Sequence, residues 1–590
     1  MGNRVRKCVC CEMQEITNNA SIVPDMDPLT RSTRGRVQRT DIARDFEIKP
    51  VVLGTGYSGA VRLAQSITTN QQVAVKQFCK KHLKPHRLRL LQSEVEVYLR
   101  LDHPNICRLL HTYEHNNHVW LVMELCGCEL YSRLSERKVY REKDAADVML
   151  QMLQAVSYLH SHKIVHRDLK LENWLYGATE RNDRLKLIDF GFSRILGVRD
   201  ETLDMPCGTL QYTSPEVLSR KYTNKCDMWS LGVICYMLLV GKPPFRAANH
   251  FKVAQAINYK DFSKDGRWAS LSSDAQHFIT DLLQKDATQR PDAAKALQHI
   301  WITGVASMST FEGGDIGIEV LKGLQKFARG SHLRRAALTM MAYSLTSREL
   351  EDLEEAFLAF DPSGHGTITL NQLAEVMHQH LEISSEEVDR IFQCLDFADD
   401  EEIHYTPFIA AMLATRVKLN EDKVRSVFDA FVKKDGGKYI TAEGLLRIFN
   451  GLSVPGRPGS STANRGLTRS EAEQWIREVD YKGNGLVDYD TFLAALMGKK
   501  VFALPSLDSS SDHPTVQVFD YSEEKRRSQS QHFTDSFTSR RIRHDLAQLI
   551  IDSEFGRRVS ASFHGPDSRG VRGTVQVRSV SCNIDESYFR

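Results

Sequence analysis

His166-Arg167-Asp168-Leu169-Lys170-Leu171-Glu172-Asn173 brings a carboxylate, an ammonium and a neutral amide into one short stretch. Asp168 can accept a proton from a hydroxyl, Lys170 can approach a terminal phosphate, and the Asn173 amide oxygen can hold a metal. Downstream, Asp189-Phe190-Gly191 adds a carboxylate suited to magnesium. Upstream, Val73-Ala74-Val75-Lys76 places a lysine on a strand, where it can neutralise phosphates, and Glu94 on the following helical stretch can hold it there. Earlier still, Gly54-Thr55-Gly56-Tyr57-Ser58-Gly59-Ala60-Val61 fits G-x-G-x-x-G-x-V, whose bare positions let the backbone fold down over phosphates. A dinucleotide site would need a helix after those glycines, and a strand-like run follows instead. Taken singly, each residue has a plainer reading: surface charges for Lys76 and Glu94, a cap for Asp168, a turn for Asn173. Their joint order and spacing exclude it.

On these motifs residues 46 to 301 resemble a eukaryotic protein kinase. Ser214-Pro215-Glu216 stands where Ala-Pro-Glu is usual, Arg290 can pair with Glu216, and Asp227 with Trp229 marks the large-lobe helix. The resemblance implies an α+β, bilobal fold and an ATP- and Mg²⁺-dependent enzyme, with Asp168 and Lys170 catalytic and Asn173 and Asp189 on magnesium. It also implies a nucleotide site made by Leu53, Gly54, Thr55, Gly56, Tyr57, Ser58, Gly59, Val61, Ala74, Lys76, Glu94 and Glu129. Met123 would be the gatekeeper, and Glu124 to Cys126 the hinge over adenine. Lys170 and Thr209 follow the Ser/Thr rather than the Tyr pattern. Glu129 and Glu172 match positions that bind arginines upstream of the target hydroxyl, so R-x-x-S/T substrates are expected. Met205 stands where many kinases carry a phosphorylated threonine, and Glu201 or Asp204 is expected to offer Arg167 a permanent negative charge.

The 590-residue chain has room for several units. A net charge of +2 carries no nucleic-acid signature, and a monomer is expected. The longest apolar run, Leu231 to Val240, is too short to cross a bilayer, and no apolar segment follows the amino terminus. Nine of the 12 cysteines are scattered without disulfide or zinc spacing, which fits a reducing, cytoplasmic compartment. The other three, Cys8, Cys10 and Cys11, follow Met1-Gly2 and the cations Arg4, Arg6 and Lys7. Myristate on Gly2 with palmitate on a cysteine would supply the two signals of a stable membrane anchor, although Arg6 stands where the acylation pattern wants Ser or Thr. A disordered tail with incidental cysteines is the other reading.

The organisation expected is a disordered segment 1–44, a kinase domain 45–302 and a junction helix 303–346. An EF-hand domain 347–500 with a Gly/Pro/Ser-rich insert at 451–466 follows, then a Ser/Arg-rich tail 501–590. Four helix-loop-helix repeats run from Leu350 to Met497. Together with Leu321 to Phe327 and Leu333 to Leu338, they resemble the calcium-dependent protein kinases of plants and protists, in which a junction joins a kinase to a calmodulin-like domain. Arg334-Arg335-Ala336-Ala337 reads either as a pseudosubstrate, with alanine replacing the phosphoacceptor, or as a basic amphipathic helix that packs on the EF-hands.

A working EF-hand loop needs oxygen ligands at positions 1, 3, 5 and 9, Gly at 6 and a bidentate Glu at 12. The loop from Asp361 keeps Ser363, Gly366 and Thr369 but ends on Gln372; the loop from Asp396 has Ala398, Glu401 for glycine, and Pro407 at its end. The third, counted back from Ile440 to Lys433, ends at Gly444; the fourth keeps Asp480, Asn484, Gly485 and Asp488 but has Lys482 among the ligands and Thr491 at its end. None carries the closing carboxylate. Folded EF-hands with weak or lost Ca²⁺ binding are expected, residual ligands being Asp361, Ser363, Thr369, Asp480, Asn484 and Asp488. The reading from another class is a membrane-tethered EF-hand scaffold with calcium-sensor function and incidental kinase activity. Ser528, Ser530, Ser560 and Ser581 each follow a basic residue three positions earlier and are candidate autophosphorylation sites.

Overall fold

The structure, a computed structural model, describes residues 36–38, 41–503 and 516–519, apart from 57–58, 82–84, 179–183, 198–201, 248, 260, 307–315, 362–363, 382, 397–399, 417–420, 433–437, 451–466 and 499. Gly2, the amino-terminal cysteines, Tyr57, Ser58, Glu201, Ser363, Ala398, the insert and the tail serines lie outside the described residues.

The small lobe is a six-stranded sheet of β1 (Arg36–Gln38), β2 (Phe46–Gly56), β3 (Gly59–Ser66), β4 (Gln72–Cys79), β5 (Leu109–His115) and β6 (His118–Glu124). Their order is β1-β5-β6-β4-β3-β2. Because side chains alternate along a strand, Val73 and Val75 of β4 enter an outer apolar cluster with Ile42, Phe46 and Trp120, while Ala74 and Lys76 face the other way. The segment expected to be disordered through residue 44 therefore needs correction. Arg36–Gln38 pairs in parallel with β5, and Ile42 is buried. So short a strand has no room for a hydrophobic period that the sequence could reveal. Strand β5 escapes the pattern for a related reason: His111, Glu114 and His115 interrupt its apolar residues.

Helix α1 (Pro85–Arg100) packs on the small-lobe sheet, and in the large lobe α2 (Leu130–Arg137), α3 (Glu142–Ser161), α4 (Lys225–Val240) and α5 (Ser273–Leu282) follow in chain order. Every residue of α4 from Cys226 to Val240 is buried, which is why its sequence has no polar face. Among the described residues no helix is long and apolar enough to cross a membrane.

The connector forms two helices rather than one, α6 (Ile316–Ala328) and α7 (His332–Tyr343). Gly330 ends the first and Ser331 caps the second, accepting from the Arg334 amide at 3.3 Å. Eight helices of the repeats follow: α8 (Ser347–Phe360), α9 (Leu370–His380), α10 (Ser385–Leu395), α11 (Tyr405–Arg416), α12 (Glu421–Val432), α13 (Ala442–Asn450), α14 (Arg469–Arg477) and α15 (Tyr489–Leu496). Ile368 pairs with Ile403, and Ile440 with Val487, so the repeats associate as two pairs through their loops. Leu324, Phe327, Leu338 and Met341 of the connector share one core with Phe357, Phe408 and Phe428 of the repeats.

Charge joins this helical domain to the kinase. Arg108 donates to the carbonyls of Ala342 (3.2 Å) and Leu345 (2.6 Å), neutralising the end of α7, while Asp102 accepts from the amide (3.0 Å) and hydroxyl (2.7 Å) of Thr406 at the start of α11. Between them, Glu354 of α8 takes Lys186 at 2.8 Å, Arg184 at 3.4 Å and the Tyr405 hydroxyl at 3.1 Å, with Lys186 and Glu354 both buried. Glu354→Ala is expected to cost on the order of 3–5 kcal/mol, since Lys186 would keep a buried charge without its closest carboxylate. Calorimetry of the full chain should show the lower unfolding temperature, and adding Lys186→Met should recover most of it.

Candidate active site and EF-hand loops

The inward face of β4 delivers Lys76 to the cleft between the lobes. Its Nζ lies 2.6 Å from Glu94 of α1 and 2.8 Å from Asp189. Burial works against the ammonium, but the two carboxylates outweigh it and hold its pKa above the usual lysine value. Burial likewise pushes the Asp189 carboxyl up, and Lys76 more than offsets this, so the carboxylate form is favoured. Asp189 adopts a left-handed backbone, φ 61°, with its amide donating to the Tyr98 hydroxyl at 3.1 Å. Phe190 sits fully buried between Tyr98 and His166, ring centroids 4.9 and 5.2 Å away. This packing fixes the direction of the Asp189 carboxylate.

Asp168 receives Lys170 Nζ and the Thr209 hydroxyl, each at 2.8 Å, on its two oxygens. The Asn173 amide nitrogen donates to the Asp168 carbonyl at 2.8 Å, leaving the amide oxygen as its metal-ligand end. Asn173 and Asp189 suit the hard oxygen coordination of magnesium and would hold it; bound there, it would neutralise charge on the phosphate oxygens. Asp168 is placed to take a proton from an incoming hydroxyl, Lys170 to balance charge beside it, and Lys76 to orient phosphates.

The strand register sets Ala74 beside Met123 and Val61 beside Lys76, forming the nucleotide face with exposed Leu53 and partly buried Cys126. Gly54, Thr55 and Gly56 close β2. Gly59 has φ 140°, and a Cβ there would stand 2.8 Å from the Gln77 carbonyl, so this turn requires glycine. Glu124 lies in the hinge by its backbone, with its side chain turned away from the nucleotide face. Its carboxylate accepts from the Arg108 amide at 2.8 Å and lies 3.8 Å from Lys186, on the side of the hinge that faces the helical domain. Being next to the gatekeeper on a strand, it necessarily points the opposite way. Glu201, one of the two acids expected beside Arg167, lies outside the described residues; among those described, the guanidinium of Arg167, whose φ is 68°, reaches the Phe192 carbonyl (2.6 Å) and the Tyr222 hydroxyl (3.3 Å). Tyr222 donates to the Met205 carbonyl at 2.6 Å, so a tyrosine ties this arginine to the activation segment while Asp204 stays exposed.

Residues 48–302 match the protein kinase domain family, and residues 350–413 match the EF-hand domain pair. Calcium-dependent protein kinase 5 of Plasmodium falciparum is 32% identical over 461 residues, covering 77% of this chain and 78% of that protein. Calcium-dependent protein kinase 17 of Arabidopsis thaliana is 33% identical over 452 residues, covering 75% and 82%. The chain belongs to the calcium-dependent protein kinase family. It is a Ser/Thr protein kinase with a following EF-hand region.

Residues 433–437 of the third EF-hand loop lie outside the described residues; in the other three loops several ligand-position side chains are hydrogen-bonded within the protein. In the first, buried Asp361 accepts from the His365 (3.2 Å) and Gly366 (2.5 Å) amides, while Thr369 and Gln372 cap α9 reciprocally, at 2.8 and 3.4 Å. The Gln372 oxygen is thus committed to the Thr369 backbone. Gly366 lies against the kinase, where a Cβ would meet the His103 ring at 2.3 Å. In the second loop Glu401 takes φ 64° in the glycine position, its amide donating to Asp396 at 3.0 Å. In the fourth, Lys482 Nζ sits 2.6 Å from Asp488, Asp480 accepts from the Gly485 amide at 2.6 Å, and Asn484 accepts from Leu486 at 3.0 Å.

Arg334 is also committed: its Nε donates to the Leu496 carbonyl at 2.9 Å and a terminal nitrogen to the Lys326 carbonyl at 3.1 Å. Arg335 reaches the Ala328 carbonyl at 3.2 Å. Here the pair packs within the helical domain and does not occupy the cleft.

One positioning residue, Asp227, carries more than its motif announces. Fully buried on α4, it accepts from the amides of His166 (2.9 Å) and Arg167 (2.8 Å) and from His160 at 3.0 Å. Burial raises its pKa, yet these donors, His160 foremost, bring the net shift below the usual value. A buried acid in an apolar helix was the available signal. Asp227→Asn should loosen the catalytic loop, lowering kcat roughly tenfold, a barrier raised by about 1.4 kcal/mol, while the KM for ATP changes little. Steady-state kinetics would separate the two.

Proposed function

We propose that this chain is an ATP- and Mg²⁺-dependent kinase for R-x-x-S/T substrates whose EF-hand domain acts as a docked regulator with calcium ligation largely replaced by protein contacts. The observation that carries the regulatory part is Lys482: its ammonium neutralises Asp488 from inside the fourth loop, where a cation would otherwise be needed. Calcium there would have to displace that ion pair without a closing glutamate. The capping pair Thr369–Gln372 weighs the same way in the first loop.

The substrate preference rests on Glu129 and Glu172. Burial, then the neighbouring Glu172 charge, raises the pKa of Glu129, so the site gains most from a cation. A raised carboxylate pKa means that the charge is lost earlier as pH falls. The KM for an R-x-x-S peptide should therefore rise on acidification more steeply than that for a peptide lacking the arginine, and Glu129→Gln should remove the difference.

Membrane attachment through Gly2 and the neighbouring cysteines is part of the same proposal, resting on the sequence alone. It places the kinase near substrates at an anionic surface.

Phosphate transfer by full-length protein to the R-x-x-S peptide, in calcium and in a calcium chelator with Asp168→Asn as control, tests the reading. Equal activity in both is expected, and the control should be inactive. The double substitution Lys482→Asp, Thr491→Glu should add one calcium site by isothermal titration. Activity confined to calcium would overturn the regulatory part; wild-type activity no greater than the control would overturn the enzymatic one.

A further inference from the structure

The second EF-hand loop, the one furthest from a calcium ligand set, carries two side chains of another chemistry: Glu402 and His404. They meet His162, which follows α3 of the kinase large lobe. One ligand atom of each of the three lies within 4.8 Å of those of the other two, and the two imidazole centroids are 5.9 Å apart. Glu402 and His404 are neighbours in one loop, but His162 belongs to the other domain, so nothing local in sequence brings it to them.

Hydrogen bonding prepares both rings. Nε2 of His404 contacts an Asp400 carboxylate oxygen at 2.8 Å, and an ionised carboxylate only accepts, so the proton is on Nε2 and the lone pair on Nδ1. That Nδ1 is buried and has no hydrogen-bond partner among the described residues, and His404 as a whole is 3% exposed. A buried, unpartnered ring nitrogen is costly unless something fills it. Nδ1 of His162 lies 2.9 Å from the Tyr158 carbonyl, which likewise only accepts; its lone pair is therefore on Nε2. A carboxylate or carbonyl holding the far nitrogen is the arrangement that orients histidines on a metal.

We infer that His162, Glu402 and His404 form a Zn²⁺ site that fastens the second EF-hand loop to the kinase large lobe. Two imidazoles and a carboxylate make a donor set suited to zinc, with a water completing the tetrahedron. Ligand atoms around zinc stand roughly 3.4 Å apart, so small side-chain rotations close the cluster. Asp400 is the outer partner of His404. The loop that lost calcium would thus retain a cation-binding task of a different kind, one that holds the domain interface together independently of the catalytic residues.

The test uses full-length protein, stripped with a chelator and titrated with Zn²⁺ against a chromophoric zinc indicator, beside His162→Ala and Glu402→Gln. Neither residue belongs to the catalytic machinery, so unchanged kinase activity in the chelator serves as the folding control. Wild type should bind one more tight equivalent than either variant, whose affinity at this site should fall roughly 100-fold or more. Zinc should raise the unfolding temperature of wild type but not of the variants. Counting the difference between proteins separates this site from zinc held by cysteines elsewhere. Equal tight equivalents in all three, or a zinc-induced stabilisation that survives both substitutions, would overturn the assignment.

Discussion

The buried charges behind the hinge are the constraint on which the two halves of the molecule depend. Arg108, Glu124, Lys186 and Glu354 are all nearly excluded from solvent, and each is held by at least one opposite charge. Such a cluster is tolerable only when complete, because a lone charge at that depth would cost several kcal/mol. Glu354 arrives from α8, so the kinase presents Lys186 in need of a carboxylate that the following domain supplies. Docking is therefore specified by chemistry as well as by shape. Arg108 shares itself between Glu124, which follows the gatekeeper, and the carboxyl end of α7. A shift of the connector helices would be felt at the strand that carries the adenine hinge.

The catalytic centre is built by the same economy of buried polar groups. Arg167 and Asp189 both occupy left-handed backbone, an arrangement that costs a non-glycine residue of order 1–3 kcal/mol and persists only when the surroundings dictate it. Asp227 dictates it for the first through two backbone amides, and Tyr98 for the second through one. The strain lies at the two residues flanking the reacting groups. Rigid supports on α4 and α1 thereby transmit the geometry of the large and small lobes to Asp168 and Asp189.

Much of this was legible because chemistry writes itself into short motifs. Lys76, Glu94, Asp168, Lys170 and Asn173 were named from spacing, and the structure gathers them with Asp189 around one cleft. What the sequence concealed depends on direction or on distant partners. Glu124 belongs to a recognisable hinge, yet its side chain turns away from the nucleotide because strand alternation sends it to the far face. The motif around Arg167 gives no hint of its contact with Tyr222, whose own sequence context is equally silent. The contacts of Glu354 and of His162 span more than a hundred residues, and no periodicity of either segment announces them.

The four repeats pair through contacts that need no ion. Their helix pairs still join through Ile368 with Ile403 and Ile440 with Val487, contacts that require only backbone amides and apolar side chains. Position-one aspartates persist in three loops because each satisfies loop amides that would otherwise be orphaned: Asp361, Asp396 and Asp480 all accept from residues four or five positions on, or two in the last case. The connector helices give the domain an apolar core and Glu354 ties it electrostatically to the kinase, contacts that use none of the loop ligand positions. Lys482 pairs with Asp488 inside the fourth loop, and Gln372 completes the cap of the helix that follows the first.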